Sequence, residues 1–189
     1  LKSVCPQFHL SLQSGSDAVL KRMNRKYTSE AFMEVVERLK TYFDRPSLTT
    51  DLIVGFPGET EAMFEETMAL AARVGFAKIH VFQYSAKKGT PAAVMAGQVD
   101  PAVRHERSER LIALQNQLES DYNRQWLGSI KEVLFEGAAE LGIKEIEGLT
   151  PDYLRVKVNA GPGWIGKTAR VRLETLTEHG FKGTIVEEA

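Results

Sequence analysis

The chain of 189 residues holds a single cysteine, Cys5. That scarcity excludes an internal disulfide and any all-cysteine metal site made by this chain alone. There is no apolar run long enough to span a bilayer and no signal-peptide pattern, so the expected location is cytoplasmic and no membrane partner is expected. Neither sign of charge is in excess: 24 Lys and Arg stand against 25 Asp and Glu, for a formal net charge of -1. Nothing in that balance draws the whole chain toward nucleic acid or lipid, and such binding must come from local patches. Internal repeats and low-complexity tracts are absent. A starting methionine is absent too; the chain opens at Leu1, shortly before a strand of interior character, and the expectation is the C-terminal piece of a longer protein. What remains, 43% hydrophobic and 26% charged residues, is the composition of a soluble globular chain. Its length suits one domain, or one with a small second.

Three segments alternate in polarity with period two, the mark of a strand with two unlike faces. In residues 7–13, Phe8, Leu10 and Leu12 oppose His9, Ser11 and Gln13. In residues 48–55, Leu48, Thr50, Leu52 and Val54 oppose Thr49, Asp51, Ile53 and Gly55. In residues 77–85, Ile79 and Val81 oppose His80, Phe82 and Tyr84. Helical segments separate them, which predicts a parallel α/β sheet with apolar faces toward the helices and polar faces toward a barrel lumen. A short helix is expected over 18–23. The next, capped by Thr28 or Ser29, carries a stripe of Phe32, Val35, Val36, Leu39, Tyr42 and Phe43. A third runs over 60–74 and ends at Gly75. The fourth starts at Asp100-Pro101 and extends to about residue 126, with Arg104, Arg107 and Arg110 interleaved with Glu106 and Glu109 as a solvated face.

Three loops converge on the rim at the carboxyl ends of these strands, where parallel sheets bind ligands. They are the basic cluster Lys21, Arg22, Arg25 and Lys26, the turn Phe56-Pro57-Gly58-Glu59-Thr60, and Lys87-Lys88-Gly89-Thr90-Pro91. Taken singly, a charge cluster is equally a solvated helix face, and a glycine turn is equally a tight connection. His80 has no cysteine or second histidine at ligand spacing, so no metal is assigned to it. After Gly128 the pattern becomes short alternating segments, 130–136, 153–159, 168–173 and 183–186, broken by glycine and proline, which predicts a small antiparallel β-barrel. The division expected is 1–127 and 128–189. From Arg155 to Leu173 there is no acid. Arg155, Lys157, Lys167, Arg170 and Arg172 are candidates for an RNA-binding stripe, with Trp164 as a stacking group, and the alternative is a charged outer barrel face.

Taken together, His9-Leu10-Ser11-Leu12-Gln13-Ser14-Gly15, Lys21-Arg22-Met23-Asn24-Arg25-Lys26-Tyr27-Thr28, Thr50-Asp51-Leu52-Ile53-Val54-Gly55-Phe56-Pro57-Gly58-Glu59-Thr60 and Ile79-His80-Val81-Phe82-Gln83-Tyr84-Ser85 through Gly89-Thr90-Pro91 resemble the radical S-adenosylmethionine methylthiotransferases. The Leu-Ser-Leu-Gln-Ser-Gly form and the Met-Asn-Arg-Lys-Tyr run look most like the branch acting on N6-threonylcarbamoyladenosine beside the tRNA anticodon, with the isopentenyladenosine branch as nearest rival. The C-terminal region is similar to the TRAM domain, an RNA-holding β-barrel. The resemblance implies the C-terminal half of a radical SAM (β/α) partial barrel followed by that module. It implies S-adenosylmethionine and tRNA as partners, with Ser11, Gln13 and Ser14 touching the ribose and methionine part of the cofactor. Arg25 would grip its carboxylate, Ile53 and Gly55 would meet adenine, Glu59 would order the turn, and Phe82 would lie at the adenine edge. Family members carry two 4Fe-4S clusters on cysteine motifs that this chain lacks; Cys5 matches neither, so the piece is expected to ligate no cluster and to be inactive alone. The alternatives are an RNA-binding module without chemistry and an unrelated α/β-barrel enzyme. The open edge of the half-barrel is expected to favour self-association.

Overall fold

The computed structural model describes residues 4–138 and 145–188. The chain divides into two compact units, one built on Phe8–Glu119 and one on the chain from Ser120 onward.

In the first, β1 (Gln7–His9), β2 (Ser47–Val54) and β3 (Lys78–Gln83) form a sheet in the order β1-β2-β3. β2 and β3 run parallel, with Asp51 opposite His80 and Ile53 opposite Phe82. The connecting helices are α1 (Asp17–Arg22), α2 (Ser29–Tyr42) and α3 (Glu61–Val74), and α4 (Pro101–Arg124) follows β3. Thr28 is in place as the expected cap, accepting from the Ala31 N–H, and Gly75 closes α3 at φ 70° as expected; Thr60, expected inside α3, instead caps it by accepting from the Met63 N–H. Asp100 caps α4 through the Ala102 N–H, with Pro101 at the first helical position. Alternation along β2 is as read, for Leu48, Thr50, Leu52 and Val54 are buried and Thr49, Asp51 and Ile53 are part-exposed. The core joins that buried face to Leu12, Phe32, Val36, Phe64, Ala71 and Leu111. Each large apolar side chain buried there contributes about 1.5–3 kcal/mol.

Two corrections concern this unit. The α2 stripe is narrower than expected, since Val35 and Tyr42 are exposed and Met33 is buried instead. β1 stops at His9, four residues short. Beyond it the Thr50 hydroxyl takes over from the ladder, donating to the Leu10 carbonyl (2.6 Å) and accepting from the Leu12 N–H (3.0 Å). Gln13 then rejoins β2 in a left-handed conformation, φ 69°, with its N–H on the Asp51 carbonyl. Leu12, Gln13 and Ser14 are therefore all buried, and the period-two pattern fails there.

The second unit is a closed barrel of β4 (Ile130–Ala138), β5 (Glu145–Leu149), β6 (Arg155–Asn159), β7 (Thr168–Thr177) and β8 (Gly180–Glu188), in the order β4-β5-β6-β8-β7. Val133, Phe135, Ile146, Val156, Val171, Leu173 and Phe181 fill it. β5 is an addition to the expected segments, and the β6–β8 pairing is parallel where an antiparallel barrel was expected. Among the described residues, no helix is long and apolar enough to cross a membrane.

Candidate functional site

Side chains of the first unit stitch its rim loops together. Arg22 donates from Nε to the Pro57 carbonyl (2.7 Å) and from Nη2 to the Ala96 carbonyl (3.1 Å). The Gly58 N–H meets the Gly97 carbonyl at 2.7 Å, and Arg104 Nη1 meets the Tyr84 carbonyl at 2.7 Å. The glycines of this turn sit at positive φ, 73° for Gly55 and 84° for Gly58, which L side chains rarely adopt. A Cβ on Gly55 would overlap the Arg104 stem, and one on Gly58 would lie 2.6 Å from the Arg22 guanidinium carbon. The close approach that these glycines permit is made by two arginines of the chain itself.

Glu59 lies at the heart of the turn. Its side chain is 1% exposed, and Oε2 accepts from the Gly55 N–H (2.6 Å) and from Arg107 Nη1 (2.8 Å). Arg107 also bonds the Glu59 carbonyl and Glu61, and Arg110 pairs with Glu61 and Glu65. The expectation of a solvated arginine face on α4 is thus corrected: Arg107 is 4% exposed, and α4 lays its guanidinium over the start of α3. Two carboxylates at one helix start were the available signal, for a buried one needs a counter-charge.

The two acids of this turn respond to pH in opposite senses. Burial pushes the Glu59 carboxyl above its usual value against the pull of Gly55 and Arg107. The Arg110 hydrogen bond and charge, joined by Arg107, hold Glu61 below its usual value. Glu61 therefore adds stability that is present above the unfolded carboxylate range and is lost as pH falls through the lowered folded value. Replacing Glu61→Gln is expected to flatten the acid limb of stability against pH. Urea midpoints measured down to acid pH check this, and an unchanged slope would contradict it.

The residues singled out for cofactor contact are distributed as follows. Ser11 is exposed at the end of the β1 segment, and the Tyr27 hydroxyl donates to its carbonyl at 2.7 Å. Arg25 is exposed on the loop after α1, close enough for its charge to act on the Tyr27 hydroxyl, whose pKa burial raises and Arg25 lowers. Ile53 and Phe82 are register partners on the face away from the helices, with Phe82 51% exposed. The Tyr84 hydroxyl is buried with no partner among the described residues. Ser14 is turned the other way: it is fully buried, its hydroxyl 3.3 Å from Thr67 Oγ1 on α3 and accepting from the Ser16 N–H. Gln13 is 8% exposed and holds the left-handed backbone described above, a strained conformation for a side chain of its type.

His80 has partners that the sequence did not reveal. His9 and Asp51 lie beside it on adjacent strands, and one ligand atom from each of the three falls within 4.8 Å of the others.

On the barrel, the basic candidates face outward. Arg155 pairs with Glu147, Lys157 lies 3.8 Å from the same carboxylate, and Arg170 is 2.7 Å from Glu187. Arg172 has no carboxylate partner among the described residues and stands opposite Thr184. Lys167 Nζ lies 6.0 Å from the centre of the Trp164 ring, whose neighbour is Phe135. Lys182 on β8, opposite Lys157 and missed in the sequence, adds a cation between the β6 and β7 pairs, with Glu145 at 3.2 Å.

A family model described as the radical SAM superfamily matches residues 1–71. The chain is 41% identical over 187 residues to tRNA-2-methylthio-N(6)-dimethylallyladenosine synthase of Thermoanaerobacter sp. (strain X514), covering 99% of this chain and 40% of that protein. It is 38% identical over 185 residues to the protein of the same name from Alkaliphilus oremlandii, covering 98% of this chain and 39% of that one. Thus the chain spans about 40% of the length of the curated relatives it matches. Among solved structures it is similar to the radical SAM enzyme coproporphyrinogen III oxidase (HemN) of Escherichia coli. The TM-score is 0.53 at 14% identity, over 89% of this chain and 41% of that one, a likeness of fold alone.

Proposed function

We propose that this chain is a portion of a radical SAM tRNA methylthiotransferase, with Phe8–Glu119 contributing part of the cofactor pocket and the barrel from Ser120 onward acting as a TRAM-type grip on RNA. The observation carrying this is the likeness along 99% of the chain to synthases named for the reaction. The names favour N6-dimethylallyladenosine, the isopentenyl nucleoside, as the base modified. The form of the Leu-Ser-Leu-Gln-Ser-Gly and Met-Asn-Arg-Lys-Tyr motifs supports threonylcarbamoyladenosine as the second reading.

The residues present fit S-adenosylmethionine, whose bound role in such enzymes is to supply radical chemistry. Ser11 offers a hydroxyl, Arg25 a guanidinium suited to two-point contact with a carboxylate, Ile53 and Phe82 a flat apolar pair, and Tyr84 an unmet donor. Gln13, whose backbone N–H and carbonyl are both bonded to β2, would act by holding the strand end, Gly55 would present its carbonyl there, and Glu59 would act by fixing the Gly55 turn. Ser14 would serve by holding Gly15 against α3, whose Thr67 hydroxyl accepts the Gly15 N–H at 3.0 Å. An iron–sulfur cluster does not fit the residues of this chain: it needs several thiolates, and Cys5 is the one cysteine. The clusters, and activity itself, would then depend on sequence beyond the 189 residues.

On the barrel, Arg155, Lys157, Lys167, Arg170 and Arg172, joined by Lys182, would meet phosphates, with Arg155, Lys157, Arg170 and Lys182 exchanging their carboxylate partners for the nucleic acid. The pocket assignment is tested by calorimetry of the chain with S-adenosylmethionine. Saturable binding that weakens about tenfold or more in Arg25→Ala and in Phe82→Ala is expected, and binding indifferent to both changes would overturn it.

A further inference from the structure

We propose that His9, Asp51 and His80 form a binding site for one divalent ion of the first transition series, on the sheet face away from the helices. The three come from adjacent strands, and Asp51 and His80 are register partners on β2 and β3. Their candidate ligand atoms lie within 4.8 Å of one another, and the His9 and His80 ring centres are 6.1 Å apart. His9 and Asp51 side chains are 39% and 32% exposed, so the donors are accessible rather than sealed in the core.

The donor set selects the class of ion. Two imidazoles and one carboxylate suit zinc, iron, cobalt or nickel, whereas magnesium and calcium take oxygen ligands. Three protein ligands also leave coordination positions open to water or an incoming molecule.

His9 is already oriented by a neighbour. Its Nδ1 lies 3.0 Å from Thr49 Oγ1 and its Nε2 lies 3.3 Å from Asp51 Oδ2. When Nδ1–H donates to Thr49, the lone pair of Nε2 faces a carboxylate oxygen, and two acceptors at that distance need a cation between them. A second tautomer meets the need with a proton on Nε2, and an ion bound there replaces that proton. Orientation of a ligating histidine through its other ring nitrogen is the usual support for such sites. Metal–donor bonds of about 2.0–2.1 Å set donor atoms about 3–3.5 Å apart. The His9–Asp51 pair already meets that spacing, and His80, which is exposed, has only to swing inward.

The site rests on strand register and side-chain placement alone, so it stands or falls separately from the methylthiotransferase reading. The test is titration of the 189-residue chain with Co2+ followed by visible spectroscopy, then competition by Zn2+. One equivalent of Co2+ is expected to bind, to be displaced by Zn2+, and to bind at least about tenfold more weakly in Asp51→Asn and in His80→Ala. His105→Ala, at a surface position on α4, is expected to bind like the parent. Far-UV circular dichroism verifies that each variant is folded; His80 is exposed, so its replacement leaves the core intact. Failure to bind, binding as tight as the parent in both Asp51→Asn and His80→Ala, or a thiolate charge-transfer band from Cys5 would each overturn the proposal.

Discussion

Replacing Arg107→Ala is expected to destabilise the α/β unit by about 3–5 kcal/mol, the range for removing one partner of a buried ion pair. The loss is large because Glu59 stays behind, 1% exposed in its side chain, keeping only the Gly55 N–H as a close donor among the described residues. The change also frees the starts of α3 and α4 from each other, since Arg107 bonds both the carbonyl and the carboxylate of Glu59. The effect belongs to the uncompensated charge and not to lost attraction alone. The double change Arg107→Met with Glu59→Gln should therefore recover much of the stability, because a neutral amide can still accept from Gly55. Urea unfolding followed by far-UV circular dichroism, which reports the helices, measures both. An Arg107→Ala chain as stable as the parent would show that the pair is not the clasp described here.

The second large effect is expected in the barrel. Gly180 opens β8 at φ 136°, a region essentially closed to L side chains, and a Cβ there would overlap the Arg155 carbonyl oxygen. That neighbour is backbone, so it cannot swing away as a flexible side chain would. Gly180→Ala is expected to cost about 3–5 kcal/mol, the sum of backbone strain and overpacking. It should loosen the parallel contact in which Val156 faces Phe181 and Lys157 faces Lys182. Both tryptophans, Trp126 and Trp164, lie in this unit, so intrinsic fluorescence during thermal unfolding reads it directly. A midpoint unchanged by the substitution would contradict the strand pairing at the start of β8.

Strands β2 and β3 were legible because a sheet buried on one side imposes period two on its residues, and helices α2 to α4 because their caps and stops are local chemistry. The end of β1 was not legible, since it depends on the Thr50 hydroxyl reaching across to Leu10 and Leu12. Arg107 was misread for a similar reason. Its own helix shows alternating charges, and only the packing of α4 on the α3 start, 48 residues away in sequence, buries it. His9, Asp51 and His80 were separated by whole helices, and strand register alone brings them together. The strand β5 was missed because Glu145, Glu147 and Gly148 masked a short alternation in which Ile146 and Gly148 are buried. In the barrel the basic residues were legible, while the acids that accompany them were not, because Glu147 and Glu187 lie outside the acid-free stretch and meet it only by pairing.

The proposed activity of the protein to which this sequence belongs is addition of a methylthio group to tRNA. The most direct measurement is nucleoside mass spectrometry of tRNA from cells with and without its gene. Loss of 2-methylthio-N6-dimethylallyladenosine with accumulation of the unthiolated nucleoside is expected. Loss of the threonylcarbamoyl counterpart would keep the reaction and move the substrate to the second reading. Unchanged levels of every methylthio nucleoside would contradict the claim.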